Sequence, residues 1–266
     1  MGTVALRGRR VLVVGASSGI GRALALAAGA AGATVALAAR RLERLEQTAA
    51  EIRRAGGEAT PLRCDVTDER SCRDLVDEAA RAMGGIDTLL YLSGVSPLVK
   101  VADATPALWH ELLATNLVGA ATVIAAALPH LRKAQLPDDD GQSDGRPEQR
   151  HPVVVVTTTT MGDAPWPWLT VYGATKAGLA EMARGLRREE PGLRVICVAV
   201  GPTLTSFADG WDPETAAAAF GRWDEEKMMA YGVLEAHQMA SAIVDAIVDT
   251  GGPDDVLIAA DPPPPT

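Results

Sequence analysis

Short apolar runs alternate with longer alanine-rich stretches along most of this 266-residue chain. The runs are rich in valine, which favours strands, and they lack the polar alternation of a half-exposed strand. Strands that are buried on both faces are typical of a parallel sheet. The pattern predicts seven strands, at residues 11–14, 35–39, 59–66, 88–93, 153–159, 195–200 and 256–260.

Helix-like stretches separate the predicted strands, and this repeated order of strand and helix predicts an α/β fold. Because crossover connections between parallel strands are right-handed, we expect a doubly wound sheet flanked by helices. The sequence shows no boundary between domains, so residues 1–266 are predicted to form a single domain. The amphipathic stretch 235–249 is expected to pack either on the sheet edge or on a partner subunit.

Composition narrows the class of protein. Apolar residues make up 47% of the chain, enough for a sizeable core, and the formal net charge of -9 leaves no basic surface for nucleic acid or an anionic membrane. The uncharged stretch 23–39 is broken by glycines and falls short of the roughly 20 residues of a membrane span, so we interpret it as a helix, a turn and a strand. Cys64, Cys72 and Cys197 show no CxxC spacing, and we expect reduced thiols and a cytoplasmic location.

The polar segment 137–151 (PDDDGQSDGRPEQRH) predicts an exposed acidic loop before the fifth strand. A calcium-binding loop is the alternative interpretation. If that loop began at Asp140, its twelfth position would be His151, where a bidentate glutamate is needed. The four histidines also lack metal-ligand spacing, so the sequence predicts no metal site. Residues 261–266 are expected to form a flexible tail.

The motif VGASSGIG, residues 14–21, follows the first predicted strand and opens a helix. Its glycines allow a tight turn and a close approach of the backbone to a phosphate, and a helix N-terminus adds free N–H groups with partial positive charge. The alternative is a glycine turn without a ligand, because the spacing differs from the commoner GxGxxG. The predicted phosphate-binding residues are Gly15, Ser17, Ser18, Gly19, Ile20 and Gly21.

The end of the second strand indicates which dinucleotide such a loop would bind. A carboxylate there binds a ribose with a free 2′-hydroxyl, whereas a 2′-phosphate needs a guanidinium. This strand ends in Arg40 and Arg41 without an acid, so NADP is favoured over NAD. The alternative is that both arginines start a solvated helix and pair with Glu43 or Glu46.

The segment CDV follows the third strand and contains Asp65. Its carboxylate could meet an adenine amino group at the end of that strand. The competing interpretation is a cap for the next turn. The sequence leaves both interpretations open.

Tyr172 and Lys176 are four residues apart, so on a helix they share one face. An ammonium close to a phenol stabilises the phenolate, and together with a positive nicotinamide ring it is expected to lower the tyrosine pKa. The result would be an acid/base that works at neutral pH. Taken alone, this spacing occurs on many helices by chance.

Six motifs, in this order along residues 8–260, resemble those of the short-chain dehydrogenase/reductase family: VGASSGIG, CDV, Asn116 within LLATNLVGA, TTTTMG, YGATK and GPTLT. Their combination is far more specific than any one of them. The resemblance implies a single Rossmann-like domain with seven parallel strands, NAD(P) as hydride carrier, and interconversion of alcohols and carbonyls. It also implies small-molecule substrates and a homo-oligomer, commonly a homotetramer.

The resemblance assigns roles to the matching residues. Tyr172 would donate a proton to the carbonyl oxygen or accept one in reverse, and Thr159, thirteen residues earlier, would hydrogen-bond the same oxygen. Lys176 would lower the pKa of Tyr172 and hold the nicotinamide ribose. Asn116, at an expected helix irregularity, would keep a water that relays protons to Lys176. The further residues implied to line the cofactor are Val66, Gly94, Thr203 and Thr205.

Several positions depart from the family pattern. Its Asn-Asn-Ala-Gly after the fourth strand is replaced by Tyr-Leu-Ser-Gly at 91–94, so hydrogen bonds that stabilise the central sheet must be replaced or lost. Thr159 stands where the family has serine, and its methyl restricts χ1 and should narrow the pocket. Val14 and Val200 replace a threonine and a proline. The departures concern catalysis rather than the fold, and they motivate an alternative function as an NADP-binding regulator or scaffold without turnover.

Aromatic residues give the clue to the substrate, because eight of them follow position 160. By resemblance, the segment after the fifth strand and a lid at 204–232 frame the substrate. We expect a bulky apolar carbonyl or alcohol packed against Trp166, Trp168 and the lid. The alternative is that these rings seal the core or a subunit contact. An epimerase or dehydratase that uses the same tyrosine is disfavoured, because such relatives usually have a larger substrate domain.

Overall fold

The computed structural model describes residues 5–134, 151–160, 165–228 and 232–260. Strands and helices alternate along these ranges. The strands are β1 (Arg10–Val14), β2 (Thr34–Ala39), β3 (Glu58–Arg63), β4 (Thr88–Tyr91), β5 (Val153–Thr159), β6 (Arg194–Val200), β7 (Thr203–Leu204), β8 (Leu234–Glu235) and β9 (Asp255–Ile258). The helices are α1 (Gly19–Ala30), α2 (Leu42–Arg54), α3 (Glu69–Met83), α4 (Pro106–Leu113), α5 (Gly119–Lys133), α6 (Thr170–Glu189), α7 (Pro213–Glu225) and α8 (Ala236–Val248).

Seven strands form one parallel sheet in the order β3-β2-β1-β4-β5-β6-β9. The short strands β7 and β8 pair with each other outside it. The predicted doubly wound, Rossmann-like sheet of seven parallel strands is therefore confirmed. Because the strand order reverses between β1 and β4, a crevice opens at the carboxyl ends of these strands, where ligands of such sheets bind.

Helices cover both faces of this sheet. Along β1, Val11 and Val13 pack on the face that carries α1 and α8, and Leu12 and Val14 pack on the face that carries α3 and α5. All four side chains are fully buried. Burial on both faces explains why the strands are apolar throughout rather than alternating.

Some boundaries differ from the predicted ones. β3 ends at Arg63 rather than at residue 66, because the carboxylate of Asp65 bonds forward to Thr67 and turns the chain toward α3. β4 ends at Tyr91 rather than at residue 93, since its pairing with β1 and β5 stops there. The predicted amphipathic helix is α8, which packs on α1 and the sheet, the first of its two expected locations.

Most of the predicted acidic loop and all of the predicted tail lie outside the described residues. They are residues 137–150 of the acidic loop and the whole tail 261–266, so the exposed loop, its calcium-binding alternative and the flexible tail stay predictions. The predicted lid, 204–232, contains a 3-10 turn at Ser206–Ala208 and the helix α7, and residues 229–231 are outside the description.

By length and hydropathy alone, one helical run among the described residues, Pro106–Lys133, could cross a membrane. A core helix passes the same test, so this is weak evidence. The run is α4, the π-helical segment Ala114–Val118 and α5 in succession. In this fold Val123 and Leu131 of the run lie in the core beside α3.

Candidate active site

A cavity of about 750 Å³ lies at the crevice between β1 and β4. Its walls come from the loops that follow β1, β2, β3 and β4 and from the lid. All but one of the predicted cofactor-binding residues line it, the exception being Thr203. The predicted residues in the wall are Gly15, Ser17, Ser18, Gly19, Ile20, Gly21, Arg40, Arg41, Asp65, Val66, Gly94 and Thr205.

The glycine loop is built so that side chains cannot occupy its turn. Gly15 has φ +95°, and a Cβ there would lie 2.7 Å from the main-chain nitrogen of Ser93. A Cβ on Gly21 would lie 2.2 Å from the oxygen of Gly15, so α1 packs directly on the loop. Ser18 precedes α1 without a side-chain cap, which leaves the first N–H groups of the helix for an anion in the cavity.

Arg41 is held over the glycine loop. Its Nη2 donates hydrogen bonds to Ser17 Oγ at 3.0 Å and Ser18 Oγ at 3.3 Å, so these bonds take the place of the alternative pairing with a glutamate of α2. Burial and the neighbouring Arg44 and Arg40 lower the pKa of Arg41. These guanidinium groups therefore concentrate positive charge at one end of the cavity.

Asp65 acts as a turn cap, the competing interpretation of the CDV segment. Its Oδ1 accepts hydrogen bonds from the hydroxyl of Thr67 at 2.7 Å and from the main-chain N–H of Thr67 at 3.0 Å. These bonds hold the pKa of Asp65 below its usual value. Asp65 also lines the cavity, so a contact with adenine stays a prediction.

Across the part of the chain that the structure describes, no group of three or more His, Cys, Asp or Glu side chains is placed to hold a metal ion.

Lys176 lies on α6 with its ammonium buried in the sheet edge. Its Nζ donates a hydrogen bond of 2.8 Å to the main-chain oxygen of Thr157 and lies 5.7 Å from the centroid of the Tyr172 ring. The residue is 4% exposed, and burial lowers the pKa of Lys176 to about 8. The predicted pair therefore shares one face of a helix and meets the end of β5.

The environment of Tyr172 differs from the expected one. The sequence predicts a lowered pKa, but burial raises the pKa of Tyr172, whose side chain is 9% exposed. The phenolate loses its hydration, and the ammonium of Lys176 does not offset that loss. The expected downward shift included a bound nicotinamide ring, so it stays a prediction for the protein with its cofactor.

Asn116 lies in the π-helical segment, where the sequence predicts a helix irregularity. It is fully buried, its Oδ1 accepts from the N–H of Val95 at 2.8 Å, and its Nδ2 donates to the oxygen of Val95 at 3.0 Å and to Thr175 Oγ1 at 3.0 Å. A Cβ added to Gly94 would lie 3.4 Å from Asn116 Oδ1 and 3.6 Å from Lys176 Nζ. The structure thus brings Asn116 and Lys176 together at the one glycine kept from the family motif.

Thr159 is the last residue of β5 and is half-buried, opposite Val200 of β6. It ends its strand at the same edge of the sheet as the glycine loop. Thr157, two residues earlier on the same face of the strand, lines the cavity. The hydrogen bond from Thr159 to a substrate oxygen stays a prediction.

Comparison with known proteins decides the family. The family model described as short chain dehydrogenase matches residues 9–217. This chain belongs to the short-chain dehydrogenase family. The membership expected from the motifs is thereby confirmed.

Two relatives and one solved structure define the degree of similarity of this short-chain dehydrogenase. The uncharacterized oxidoreductase YghA of Escherichia coli K12 is 32% identical over 214 residues, which cover 78% of this chain and 66% of that protein. The 11-beta-hydroxysteroid dehydrogenase-like 3 of Arabidopsis thaliana is 32% identical over 205 residues, 74% of this chain and 60% of that protein. This short-chain dehydrogenase therefore spans less than two thirds of either relative. A short chain dehydrogenase from Burkholderia cenocepacia J2315, solved in complex with NADP, is 26% identical with TM-score 0.77 over 97% of this chain and 98% of that one.

Tyr91 replaces the first asparagine of the family motif in this short-chain dehydrogenase. Its side chain is fully buried, and its hydroxyl donates a hydrogen bond of 2.6 Å to the main-chain oxygen of Thr115. The main chain that follows is also held, because the N–H of Leu92 donates to the oxygen of Val14 at 2.8 Å. The hydrogen bond from Tyr91 thus lies at the position where the family's asparagine bonds would be missing.

The lid of this short-chain dehydrogenase covers Tyr172 with an aromatic side chain. The ring of Phe207 lies edge-on to that of Tyr172 at 5.4 Å between centroids, and Trp211 lies 5.7 Å from Phe207. Trp211 Nε1 donates to the main-chain oxygen of Ser96 at 2.6 Å, which ties the lid to the segment after β4. Phe207 and Trp211 both line the cavity.

The other predicted substrate-binding rings have a different place. Trp166 and Trp168 are not among the residues that line the cavity. Trp166 packs 4.9 Å from Trp223, which is 1% exposed, and Lys100 lies over the ring of Trp168 at 4.9 Å. The contact of these rings with substrate stays a prediction, and the packing of Trp166 on the buried indole of Trp223 is what the core alternative expects.

Two residues of the site were not predicted from the sequence. Ser96 is 7% exposed and lines the cavity, and among the described residues its Oγ is the buried side-chain atom that has no hydrogen-bond partner. Thr175 bonds Asn116 and donates to the main-chain oxygen of Tyr172 at 2.7 Å. Its place inside YGATK is a signal for Thr175, whereas no sequence pattern marks Ser96.

Proposed function

We propose that this chain interconverts an alcohol and a carbonyl with NADP(H), using Tyr172 as general acid and base. The observation that carries the proposal is the meeting of Asn116 and Lys176 at Gly94, with side-chain atoms 3.4 and 3.6 Å from the position of a Cβ there. Gly94 lines the same cavity as the glycine loop. The groups proposed for proton transfer therefore adjoin the surface on which a dinucleotide would lie.

The dinucleotide, when bound, supplies a hydride to the carbonyl carbon or takes one from the alcohol. Tyr172 donates a proton to the carbonyl oxygen or accepts it in the reverse direction, and the hydroxyl of Thr159 polarises the same oxygen. Lys176 uses one N–H on Thr157, and its other donors serve the nicotinamide ribose. Asn116 keeps the water that returns protons to Lys176.

The preference for NADP over NAD rests on Arg41 and Arg40, which line the cavity beside the glycine loop. The bonds from Arg41 to Ser17 and Ser18 fix the guanidinium in advance, and such a planar fork matches a phosphate. The two residues directly after β2 are arginines rather than a carboxylate that could bind a free 2′-hydroxyl. The solved relative in complex with NADP supports the same choice.

The proposed substrate is bulky and apolar with one additional polar group. Phe207, Trp211 and Leu108 give the cavity an apolar wall, and Ser96 gives it a buried hydroxyl without a partner among the described residues. An apolar pocket with a small number of placed polar groups selects a ligand that is large and has its polar atoms at fixed positions. The name of the Arabidopsis relative, a hydroxysteroid dehydrogenase-like protein, is compatible with that class.

The test follows NADPH oxidation by the purified protein across ketones that range from small and polar to large and aromatic. We expect turnover of the large ketones and a fall in kcat of roughly 10²- to 10⁴-fold in Tyr172→Phe, the contribution of a general acid. The Kd for NADPH should change by less than about threefold, because the phenol hydroxyl acts on the substrate. A Tyr172→Phe variant that retains turnover contradicts the proposal.

The second candidate is an NADP-binding regulator or scaffold of the same fold, motivated by the altered segment 91–94. It takes the place of the enzyme if NADPH binds tightly and no ketone in the series is reduced. An epimerase or dehydratase would consume substrate without net oxidation of NADPH. The cytoplasmic location and the homo-oligomer, a tetramer or dimer, stay predictions that fractionation and light scattering test.

A further inference from the structure

Tyr91 ends β4 with a fully buried hydroxyl that reaches the π-helical segment. The hydrogen bond to the main-chain oxygen of Thr115 is 2.6 Å long and joins residues 24 apart in sequence. Burial raises the pKa of Tyr91, so the phenol keeps the proton that this bond requires. The bond ties the central sheet to the segment that carries Asn116.

The space around this hydroxyl depends on Gly119, the first residue of α5. A Cβ on Gly119 would lie 2.8 Å from Tyr91 Oη and 2.7 Å from the main-chain oxygen of Val66. Any larger residue at 119 would therefore push the hydroxyl away from Thr115. A π-helical turn takes carbonyls out of the regular i→i−4 pattern, and a buried carbonyl needs a donor. Tyr91 donates to one carbonyl of this segment, that of Thr115.

Asn116 directly follows the carbonyl that Tyr91 holds. Its amide bonds both main-chain groups of Val95 and the hydroxyl of Thr175, and Thr175 in turn donates to the main-chain oxygen of Tyr172. A continuous series of contacts thus runs from the end of β4 to the helix of the proposed acid/base. Both Asn116 and Thr175 are fully buried, so water cannot readily take the place of these bonds.

We propose that Tyr91 is a positioning residue that holds the π-helical segment where Asn116 reaches Val95 and Thr175. The effect on turnover rests on the proposed function, whereas the effect on the contact between Asn116 and Val95 does not. The competing explanation is a purely structural role, in which the ring fills the core and the hydroxyl only satisfies a carbonyl.

The variant Tyr91→Phe removes the hydroxyl and keeps the ring. If Tyr91 positions Asn116, kcat for carbonyl reduction falls by roughly 10- to 100-fold, as for a displacement of about 1 Å at a reacting group. The KM values for ketone and NADPH change by less than about threefold. A lower melting temperature with kcat unchanged, measured where circular dichroism shows both proteins folded, overturns the proposal.

Coupling to Asn116 separates a positioning role from general loosening. In an Asn116→Ala background the Tyr91→Phe change is expected to alter kcat by less than about twofold, because the group it positions is gone. If the two substitutions lower kcat independently, so that their effects multiply in the double variant, the proposal is overturned. The matched control is Thr122→Val, which removes an exposed hydroxyl that donates to the oxygen of Val118 in the same segment at 2.9 Å, and which should leave kcat unchanged.

Amide hydrogen exchange tests the proposal without any turnover. The N–H of Val95 donates to Asn116 Oδ1 at 2.8 Å, and Tyr91→Phe should speed its exchange by roughly tenfold, while Thr122→Val should not. Unchanged protection of Val95 in Tyr91→Phe overturns the positioning role. Because this readout needs no substrate, it distinguishes a failure of the positioning role from a failure of the oxidoreductase proposal.

Discussion

Phe207 lies edge-on against Tyr172, with 5.4 Å between ring centroids and 65° between ring planes. Phe207 is 41% exposed, whereas the phenol it covers is 9% exposed. The ring of the lid therefore supplies part of the burial that raises the pKa of Tyr172. A large substrate at the phenol is therefore expected to contact Phe207 as well.

Replacing Phe207 with alanine should weaken the handling of large substrates more than of small ones. An aromatic contact contributes about 0.5–1.5 kcal/mol beyond its buried area, so kcat/KM for a large aryl ketone should fall by roughly tenfold. For a small ketone that does not reach the ring, kcat/KM should change by less than about threefold. Steady-state kinetics with the two ketones measures both values.

Phe220→Ala is the matched control for this prediction. Phe220 is 43% exposed and packs on Trp211 at 6.1 Å and on Trp223 at 5.1 Å. These ring contacts are with tryptophans rather than with Tyr172, so the loss of Phe220 should affect both ketones equally. If Phe207→Ala also affects both ketones equally, the lid ring contributes to stability rather than to selection of substrate.

The sequence predicts the framework of this site well because the framework depends on local patterns. Valine runs predict the seven strands, and the glycines of 14–21 predict the turn that only residues without a Cβ can form. The helix irregularity at Asn116 is implied by the family resemblance, and the π-helical segment confirms it. Each of these features is set by neighbours that are close in sequence or by the order of the strands.

Contacts between distant segments were not predictable in the same way. Phe207 covers Tyr172 from 35 positions later, and no periodic pattern encodes that meeting. The lowered pKa predicted for Tyr172 rests on Lys176 and a bound nicotinamide ring, whereas the burial that raises the pKa in the chain alone depends on segments distant in sequence. The partner of Tyr91, the main-chain oxygen of Thr115, is likewise visible only once the π-helical segment has its shape.

The buried ammonium of Lys176 should lower the free energy of unfolding at neutral pH. Burial lowers its pKa from 10.5 to about 8, so below that pH the folded state carries a desolvated charge, at a cost on the order of 3 kcal/mol. Between the two pKa values the unfolded chain binds more protons, and stability from this residue rises with pH. Lys176→Met should therefore unfold at higher urea than the parent at pH 7, and this difference should shrink toward pH 10.

Lys100→Met is the control for the stability change. Lys100 is exposed and lies over the ring of Trp168 at 4.9 Å, so its charge is hydrated in both states. We expect little change in stability at pH 7. If Lys176→Met lowers the free energy of unfolding at pH 7, the ammonium is stabilised by its surroundings and the predicted sign is wrong.

Arg41→Ala should weaken the use of NADP much more than the use of NAD. Loss of a guanidinium beside a 2′-phosphate should raise KM for NADP by roughly 10- to 100-fold, in line with a charged hydrogen bond of about 1.5–3 kcal/mol. KM for NAD, which lacks that phosphate, should change by less than about threefold. The control Arg54→Ala removes the same charge from the far end of α2, and an equal effect of both variants would indicate a general field rather than a contact.

Ser96→Ala should stabilise the protein and lower kcat/KM for large ketones that carry an added polar group. Its Oγ is buried without a partner among the described residues, and such a group costs about 1–3 kcal/mol. Urea unfolding should therefore show a higher free energy of unfolding for Ser96→Ala. In contrast, Thr158→Val should be neutral or destabilising, because the Thr158 hydroxyl already donates to the oxygen of Val198 at 3.3 Å.

Kinetics then show what the hydroxyl of Ser96 is for. Among large ketones, those with an added polar group that can reach Ser96 should lose roughly 5- to 30-fold in kcat/KM in Ser96→Ala, and those without one should lose nothing. A hydroxyl that lowers stability and yet leaves every substrate unaffected would contradict its place in a substrate site. If the Ser96 hydroxyl serves substrate binding rather than folding, Ser96→Ala should be more stable and should lose kcat/KM only for the ketones with the added polar group.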